Sequence, residues 1–199
     1  NYADEISTKP SFSDNHTRLM GTFLSTNYTY DNIYLMDASF RMDGSSEFGS
    51  KKKFAPFWSL GLGVNLHKYK FFQDLGFIDQ LKIRGSYGQT GKANFPAYAA
   101  RTMYLISTDN WYKTGISTKL QALGNKNLTW ETTNSLDVGG EVTLFKGLLY
   151  VKGSYYNKRT IDLINDVTVP TSTGFTSYRD NIGEISNKGY EFDLRVSAF

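Results

Sequence analysis

Cysteine is absent from these 199 residues, which excludes disulfides, thiolate metal centres and a cysteine nucleophile together. Histidine is nearly absent as well: His16 and His67 are the only two. A serine hydrolase would need one of them brought beside a serine and an acid, whereas the strand pattern puts them at opposite ends of a sheet. No apolar run approaches the roughly eighteen residues of a spanning helix, and no basic start leads into an apolar stretch, so neither a membrane helix nor a signal peptide is read here. Excess charge is small, with a net of +3. The basic residues are scattered apart from Lys51, Lys52 and Lys53, a triplet read as a solvated loop, so nucleic acid is not an expected partner. A phosphate loop is also missing. Gly88-Gln89-Thr90-Gly91-Lys92 is followed by Ala93, and a nucleotide site needs Gly-Lys-Ser/Thr leading into a helix. No enzyme, cofactor or metal site is predicted.

Aromatic rings, by contrast, are plentiful: 14 Tyr and 14 Phe bring the aromatic share to 16%, while the mean hydropathy is only -0.41. A chain rich in rings yet hydrophilic on average fits a membrane barrel, whose polar interior and long loops dilute its apolar surface. Between Asn127 and Phe145 the residues alternate. Leu128, Trp130, Leu136, Val138, Val142 and Leu144 fall on one parity, and Glu131, Thr133, Ser135, Asp137, Glu141 and Thr143 on the other. A period of two is that of a strand. Soluble strands usually run about five or six residues, and crossing a bilayer takes roughly nine to eleven.

Six further strands are predicted, at about 17–30, 33–44, 56–67, 80–90, 148–160 and from Tyr190 to Ala198. Asp31-Asn32 and Lys146-Gly147 are read as tight turns, because Asp, Asn and Gly accept the backbone angles of short hairpins. Residues 44–55, 91–126 and 161–185 are read as loops, the middle one long and weakly patterned. Short turns at one end and long loops at the other match outer-membrane barrels. Rings near the strand ends, among them Tyr28, Tyr34, Tyr69 and Phe145 at the short-turn end and Trp58, Tyr87, Trp130 and Tyr190 at the other, match their aromatic girdles.

The alternation assigns Met36, Phe40, Leu60, Leu62, Val64, Leu136, Val138, Leu194 and Val196 to a lipid-facing surface. Asp37, Arg41, Lys82, Arg84, Glu131, Asp137, Glu141, Glu191, Asp193 and Arg195 go to a lumen-facing wall, where acids and bases on neighbouring strands are expected to pair rather than to act as catalytic acid and base. Trp111 and Tyr112, in the long loop, are candidate substrate-binding residues, since exposed rings stack well on sugar C–H faces. Asp109, Asn110 and Asn125 offer oxygen donors of the kind calcium takes, with no diagnostic spacing. Seven strands cannot close a membrane barrel without leaving unpaired edges in lipid, so the whole of 1–199 reads as an all-β, antiparallel transmembrane barrel segment of something larger.

Several strings resemble the SusC/RagA family of TonB-linked outer-membrane transporters. They are Ser39-Phe40-Arg41-Met42-Asp43-Gly44-Ser45-Ser46-Glu47-Phe48-Gly49, Phe57-Trp58-Ser59-Leu60-Gly61 and Ile78 to Gly91, then Asn127-Leu128-Thr129-Trp130-Glu131-Thr132-Thr133, Asp162-Leu163-Ile164 and Asn181 to Glu191. Their order and spacing hold from about Tyr28 onward. The resemblance implies a barrel of roughly 22 strands in a Gram-negative, Bacteroidetes-like outer membrane. It also implies an N-terminal plug, absent here with the TonB-contact segment, a SusD-like lipoprotein lid, the TonB complex as energy source, and a glycan or peptide solute. The competing expectation is a soluble β-sandwich acting as a carbohydrate-binding module, in which the apolar face packs on a second sheet.

Overall fold

The computed structural model describes residues 16–46, 53–92, 100–113 and 115–197. Glu47 to Lys52, and with them two residues of the lysine triplet, lie outside the described residues, as do Ala198, Phe199 and the side chains of Asp109, Asn110, Trp111 and Tyr112.

Seven strands form one antiparallel sheet: β1 (Leu19–Tyr30), β2 (Tyr34–Ser45), β3 (Phe54–Asn65), β4 (Ile78–Lys92), β7 (Glu131–Leu144), β8 (Leu149–Thr168) and β9 (Ser177–Val196), paired in that order. Between β4 and β7 the chain leaves the sheet to form a separate hairpin, β5 (Met103–Tyr112) and β6 (Gly115–Ala122). A 3-10 turn, Leu66–Lys68, and the four-residue helix α1, Lys70–Gln73, join β3 to β4.

The sheet does not close, and β1 and β9 have no strand on their outer edges among the described residues. The accessible surface is 14957 Å², against about 9,500 Å² for a compact monomer of this mass. Among the described residues no second sheet covers either face. The four buried hydrophobic residues among those described, Phe57, Ala100, Leu128 and Trp130, form one cluster at the end of the sheet. The sandwich expectation therefore fails, since among the described residues no sheet packs on the apolar face.

Three connections lie at one end: residues 31–33, 66–77 and 145–148. Asp31 and Asn32 take positive φ values of 52° and 53°, as their residue types allow. The second turn begins one residue earlier than predicted, with Phe145 at φ 56°, an unusual angle for a bulky side chain. Its neighbours hold it there. The Phe145 N–H donates to the Phe77 carbonyl at 2.9 Å, the two rings stack 6.1 Å apart, and the Gly147 N–H donates to the Asp79 carboxylate at 3.0 Å.

At the opposite end two expectations are corrected. Residues 161–185 are mostly not a loop: β8 and β9 are 20 residues each, and the connection between them is the short stretch around the 3-10 turn Thr171–Thr173. At about 3.3 Å per residue each strand spans roughly 65 Å, about twice what a bilayer crossing uses. Their pairing is interrupted between Thr160 and Ile164, where Asp162 adopts φ 58°. The irregularity is local, since the register with β9 is the same before and after it, but it interrupts the alternation where the loop was predicted to begin. The stretch 91–126 likewise contains β5 and β6. Conversely, the strand predicted from Asn127 begins only at Glu131.

Candidate functional site

Because the strand pairs are continuous across the sheet, each residue's height and face follow from the register. One row reads Tyr28, Met36, Leu62, Gly85, Val138, Tyr155 and Tyr190; the next toward the short turns reads Tyr30, Tyr34, Val64, Ile83, Gly140, Gly153 and Phe192. Met36, Phe40, Leu60, Leu62, Val64, Leu136, Val138, Leu194 and Val196 all share this apolar face. Val138 is 45% exposed and Leu194 68% exposed, so they lie open rather than packed.

The opposite face is graded in chemistry. Toward the short turns it is charged: Lys82, Glu141, Lys152 and Asp193 stand in one register row with alternating sign. The Tyr150 hydroxyl donates to Glu141 at 3.1 Å, and the Arg195 guanidinium lies 5.3 Å from the Tyr150 ring centre. A pocket of about 240 Å³ opens beside this row, lined by Asp37, Lys82, Arg84, Ser86 and Asp137 among others. Higher up the charges give way to hydroxyls. Ser25, Ser39 and Ser59 are registered together, and Ser59 continues through Gly88 to Ser135. Ser39 and Ser59 are 2.7 Å apart at their hydroxyl oxygens, and Thr133 and Thr160 2.8 Å.

The ten charged residues picked out in the sequence share this polar face, but two pair differently from expectation. Arg41 bridges Asp43 and Arg195 bridges Asp193, each two residues along its own strand rather than across to a neighbour. Same-face residues two apart are close enough for this. Cross-strand pairing occurs higher and on the other face, where Arg159, in the parity of Tyr155 and Val151, meets Glu184 in a two-pronged bridge at 2.6 and 2.8 Å. Glu131 is not an open wall charge. It is 6% exposed, and its carboxylate accepts the Ile164 N–H at 3.0 Å.

Glu131 belongs to an assembly at the outer rim that sequence reading missed. The segment 123–130 folds over the polar face and places Leu128, fully buried, and Trp130, 7% exposed, beside Phe57; the Phe57 and Trp130 rings meet edge to face at 5.7 Å. Trp130 is thus a core ring of this rim, not the interfacial ring expected from alternation. Asn181 laces the segment to β8 and β9. Its amide oxygen accepts the Thr129 N–H at 2.9 Å, and its amide nitrogen donates to the Thr129 and Asp162 carbonyls at 3.0 and 2.7 Å. Asn125 donates to the Arg179 carbonyl and to Asp180, while its own oxygen accepts the Asn127 N–H. Both the nitrogen and the oxygen of that amide are engaged by the protein. The nearby carboxylate of Asp180 raises the Tyr178 phenol above its ordinary pKa, with burial adding to the effect. The signal was present but scattered: Asn127 to Glu131, Asp162 to Ile164 and Asn181 to Gly183 are three of the resemblance strings, and they meet here across about fifty residues of chain.

The Gly-rich run is explained by close packing. A side-chain carbon on Gly91 would fall inside the Phe57 ring, and one on Gly88 would crowd the Trp58 carbonyl at 2.9 Å. His16 precedes β1 at the rim and His67 follows β3 at the short-turn end, so the two are not brought together. Trp111 and Tyr112 end β5, registered opposite Ile116 and Gly115 at the tip of the hairpin. Its base is closed where the Gly124 N–H donates to the Thr102 hydroxyl at 3.3 Å.

The profile of the family described as "TonB dependent receptor-like, beta-barrel" matches residues 1–198. TonB-dependent receptor P26 of Formosa agariphila is 39% identical over 174 residues, 86% of this chain and 17% of that protein. TonB-dependent receptor SusC of Bacteroides thetaiotaomicron is 31% identical over 184 residues, 89% of this chain and 18% of that protein. Among solved structures, the RagAB peptide transporter superposes with a TM-score of 0.82 at 27% identity, covering 92% of this chain and 20% of that one. The siderophore receptor PirA from Pseudomonas aeruginosa shares the fold with a TM-score of 0.60 at 16% identity. The chain thus spans about a fifth of the length of these relatives. An open antiparallel sheet with one apolar and one polar face, matched along its length by these receptors, places the chain in the TonB-dependent receptor β-barrel family of the outer membrane, SusC/RagA type, whose members are receptors and transporters rather than enzymes.

Proposed function

We propose that the protein to which this chain contributes imports a bulky nutrient, a glycan or an oligopeptide, across the outer membrane, and that residues 1–199 supply barrel wall and extracellular loops. The observation that carries this reading is the register itself: seven strands whose rows toward the short turns are apolar on one face and largely polar on the other, open at both edges among the described residues. Against acyl chains an unpaired strand edge is too costly, so further strands of the same barrel complete the ring, with a plug inside it. The apolar face, from Met36 and Phe40 to Leu194 and Val196, meets lipid, and the polar face lines a wet interior.

Within that interior the neutral hydroxyl belt suits a hydrated solute, because Ser and Thr exchange hydrogen bonds with hydroxyls or amides without the strong hold of a charge. The hairpin tip bearing Trp111 and Tyr112 is the outer contact, with the rim assembly fixing its root. A lipoprotein lid of the SusD type covers the outer loops, and the TonB complex acts through segments outside these residues. Among the relatives RagAB is described as a peptide transporter, which supports the oligopeptide class, while the glycan class rests on the resemblance to the SusC/RagA family.

Two measurements on the full-length protein test this. It is expected in outer-membrane fractions, with heat-modifiable migration on gels; recovery as a soluble monomer overturns the reading. Replacing Trp111 and Tyr112 together by alanine is expected to weaken binding of the imported oligosaccharide or oligopeptide about tenfold while leaving heat-modifiability intact. Unchanged binding removes the hairpin tip from the solute path.

A further inference from the structure

The connection between β3 and β4 is the one short-turn-end connection that is not a tight turn, and its chemistry differs from the others. Its sequence is Leu66-His67-Lys68-Tyr69-Lys70-Phe71-Phe72-Gln73-Asp74-Leu75-Gly76-Phe77. Residues this polar at the backbone and this apolar in their side chains would normally bury the rings. Here Phe71 is 71% exposed, and Leu75 and Phe77 are 40% and 42% exposed.

The segment is nevertheless held in place. The His67 ring nitrogen Nδ1 accepts the Leu81 N–H at 3.3 Å, the Gln73 amide donates to the Lys68 carbonyl at 3.1 Å, and α1 closes with the Asp74 N–H on the Lys70 carbonyl at 3.0 Å. The hydroxyls of Tyr69 and Tyr34 share a hydrogen bond at 2.7 Å. Tyr34 belongs to the apolar face, in the row with Val64 and Ile83. That bond therefore ties the segment to the outside of the wall, and Tyr30, 6.3 Å from Tyr34 ring to ring, extends the aromatic line. Within the segment Lys68 and Lys70 stand against Asp74 alone, and the flanking turns add Lys146 and the carboxylates of Asp31 and Asp79, the last accepting the Gly147 N–H.

We propose that residues 66–77 form a foot on the membrane: Phe71 and Leu75 enter the acyl boundary of the leaflet on the short-turn side, and Lys68 and Lys70 bind the phosphates of anionic phospholipids there. Rings at the headgroup level beside a surplus of ammonium groups are the chemistry of interfacial anchors. The occupant is a phospholipid because the Tyr34–Tyr69 hydrogen bond joins the patch to the apolar face and because Lys68 and Lys70 outnumber Asp74 within the segment.

The proposal rests on the membrane-barrel reading, and its test separates the two. The photocrosslinker p-benzoylphenylalanine is placed at Phe71 or, as a reference, at Leu62 in the middle of the apolar face, in full-length protein reconstituted in vesicles of phosphatidylglycerol and phosphatidylethanolamine. Phospholipid adducts at both positions are the expected result. Adducts at Leu62 with only protein adducts, or none, at Phe71 overturn the foot alone; no lipid adduct at Leu62 overturns the barrel reading and the foot with it. Combining Lys68→Glu and Lys70→Glu is expected to lower the ratio of phosphatidylglycerol to phosphatidylethanolamine adducts at position 71 by about tenfold. An unchanged ratio shows that the lysines do not select the headgroup, and the proposed phosphate contact falls.

Discussion

Val138→Arg is expected to stop the full-length protein from assembling in the outer membrane, at a cost of about 2–4 kcal/mol if the site lies near the midplane. The register puts it there. Val138 stands six residues above Leu144, the last residue of β7 before the turn, which is about 20 Å along the strand. With the tilt usual for such barrels that is roughly half the height of the apolar band. The residue is open on the apolar face, between Gly85 and Tyr155 in its row, so a guanidinium there has neither water nor a carboxylate to meet. The matched control is Ser135→Arg, three positions along the same strand on the polar face, which is expected to assemble normally. Loss of heat-modifiable protein in the first variant and its retention in the second checks both sides of the wall; equal outcomes contradict the assignment of faces.

Trp130→Ala is expected to have a large effect of a different kind, confined to the rim. Truncating a buried Trp usually costs about 3–5 kcal/mol, and Trp130 is one of the few buried side chains in the described chain. Its removal takes away the edge-to-face partner of Phe57 and part of the cover over Leu128. Since Thr129 and Asn181 are linked by two hydrogen bonds, the loosening should spread from 123–131 to 162–164 and 181–183. Hydrogen exchange on full-length protein is expected to quicken by about a hundredfold in these three stretches together, with the strand amides below the rim unchanged. Asn181→Ala is expected to give the same pattern with smaller amplitude, and Trp130→Phe a weaker one. Quickened exchange in 123–131 alone would show that the three stretches are not one unit.

How much of this was legible depended on what each strand touches. β2, β3 and the lower half of β7 were readable because lipid on one side and water on the other impose a strict period of two: Met36 and Leu62 cannot exchange places with Asp37 and Gly61 without reversing the wall. The upper halves of β8 and β9 were not. Above the membrane both faces are wet, so Tyr178-Arg179-Asp180-Asn181 has no need to alternate, and the bulge at Asp162 breaks the parity that Ile161 to Ile164 would otherwise carry. Pro170 and Gly174 mark only the tip of the stretch read as a long loop, where Gly174 takes φ 81°. Trp130 was misplaced for a related reason. Alternation continued by chance through Leu128 and Trp130, although the chain had already left the sheet to fold over Phe57. The charged residues share one face of the sheet, as parity predicts, but their partners were not predictable, because Arg41 and Arg195 reach along their own strands. Glu131 was read as one more wall carboxylate; only the fold shows that its oxygen takes the Ile164 N–H beside the β8 irregularity.

The native absence of cysteine from these residues makes the central claim directly measurable. Single cysteines placed in turn from Asn134 to Val142 in the full-length protein, with any cysteine elsewhere removed, can be reacted with a water-soluble maleimide in intact outer membranes. The account requires labelling at positions 135, 137 and 141 and protection at 136, 138 and 142. Uniform labelling along β7, or labelling with the opposite parity, would contradict it.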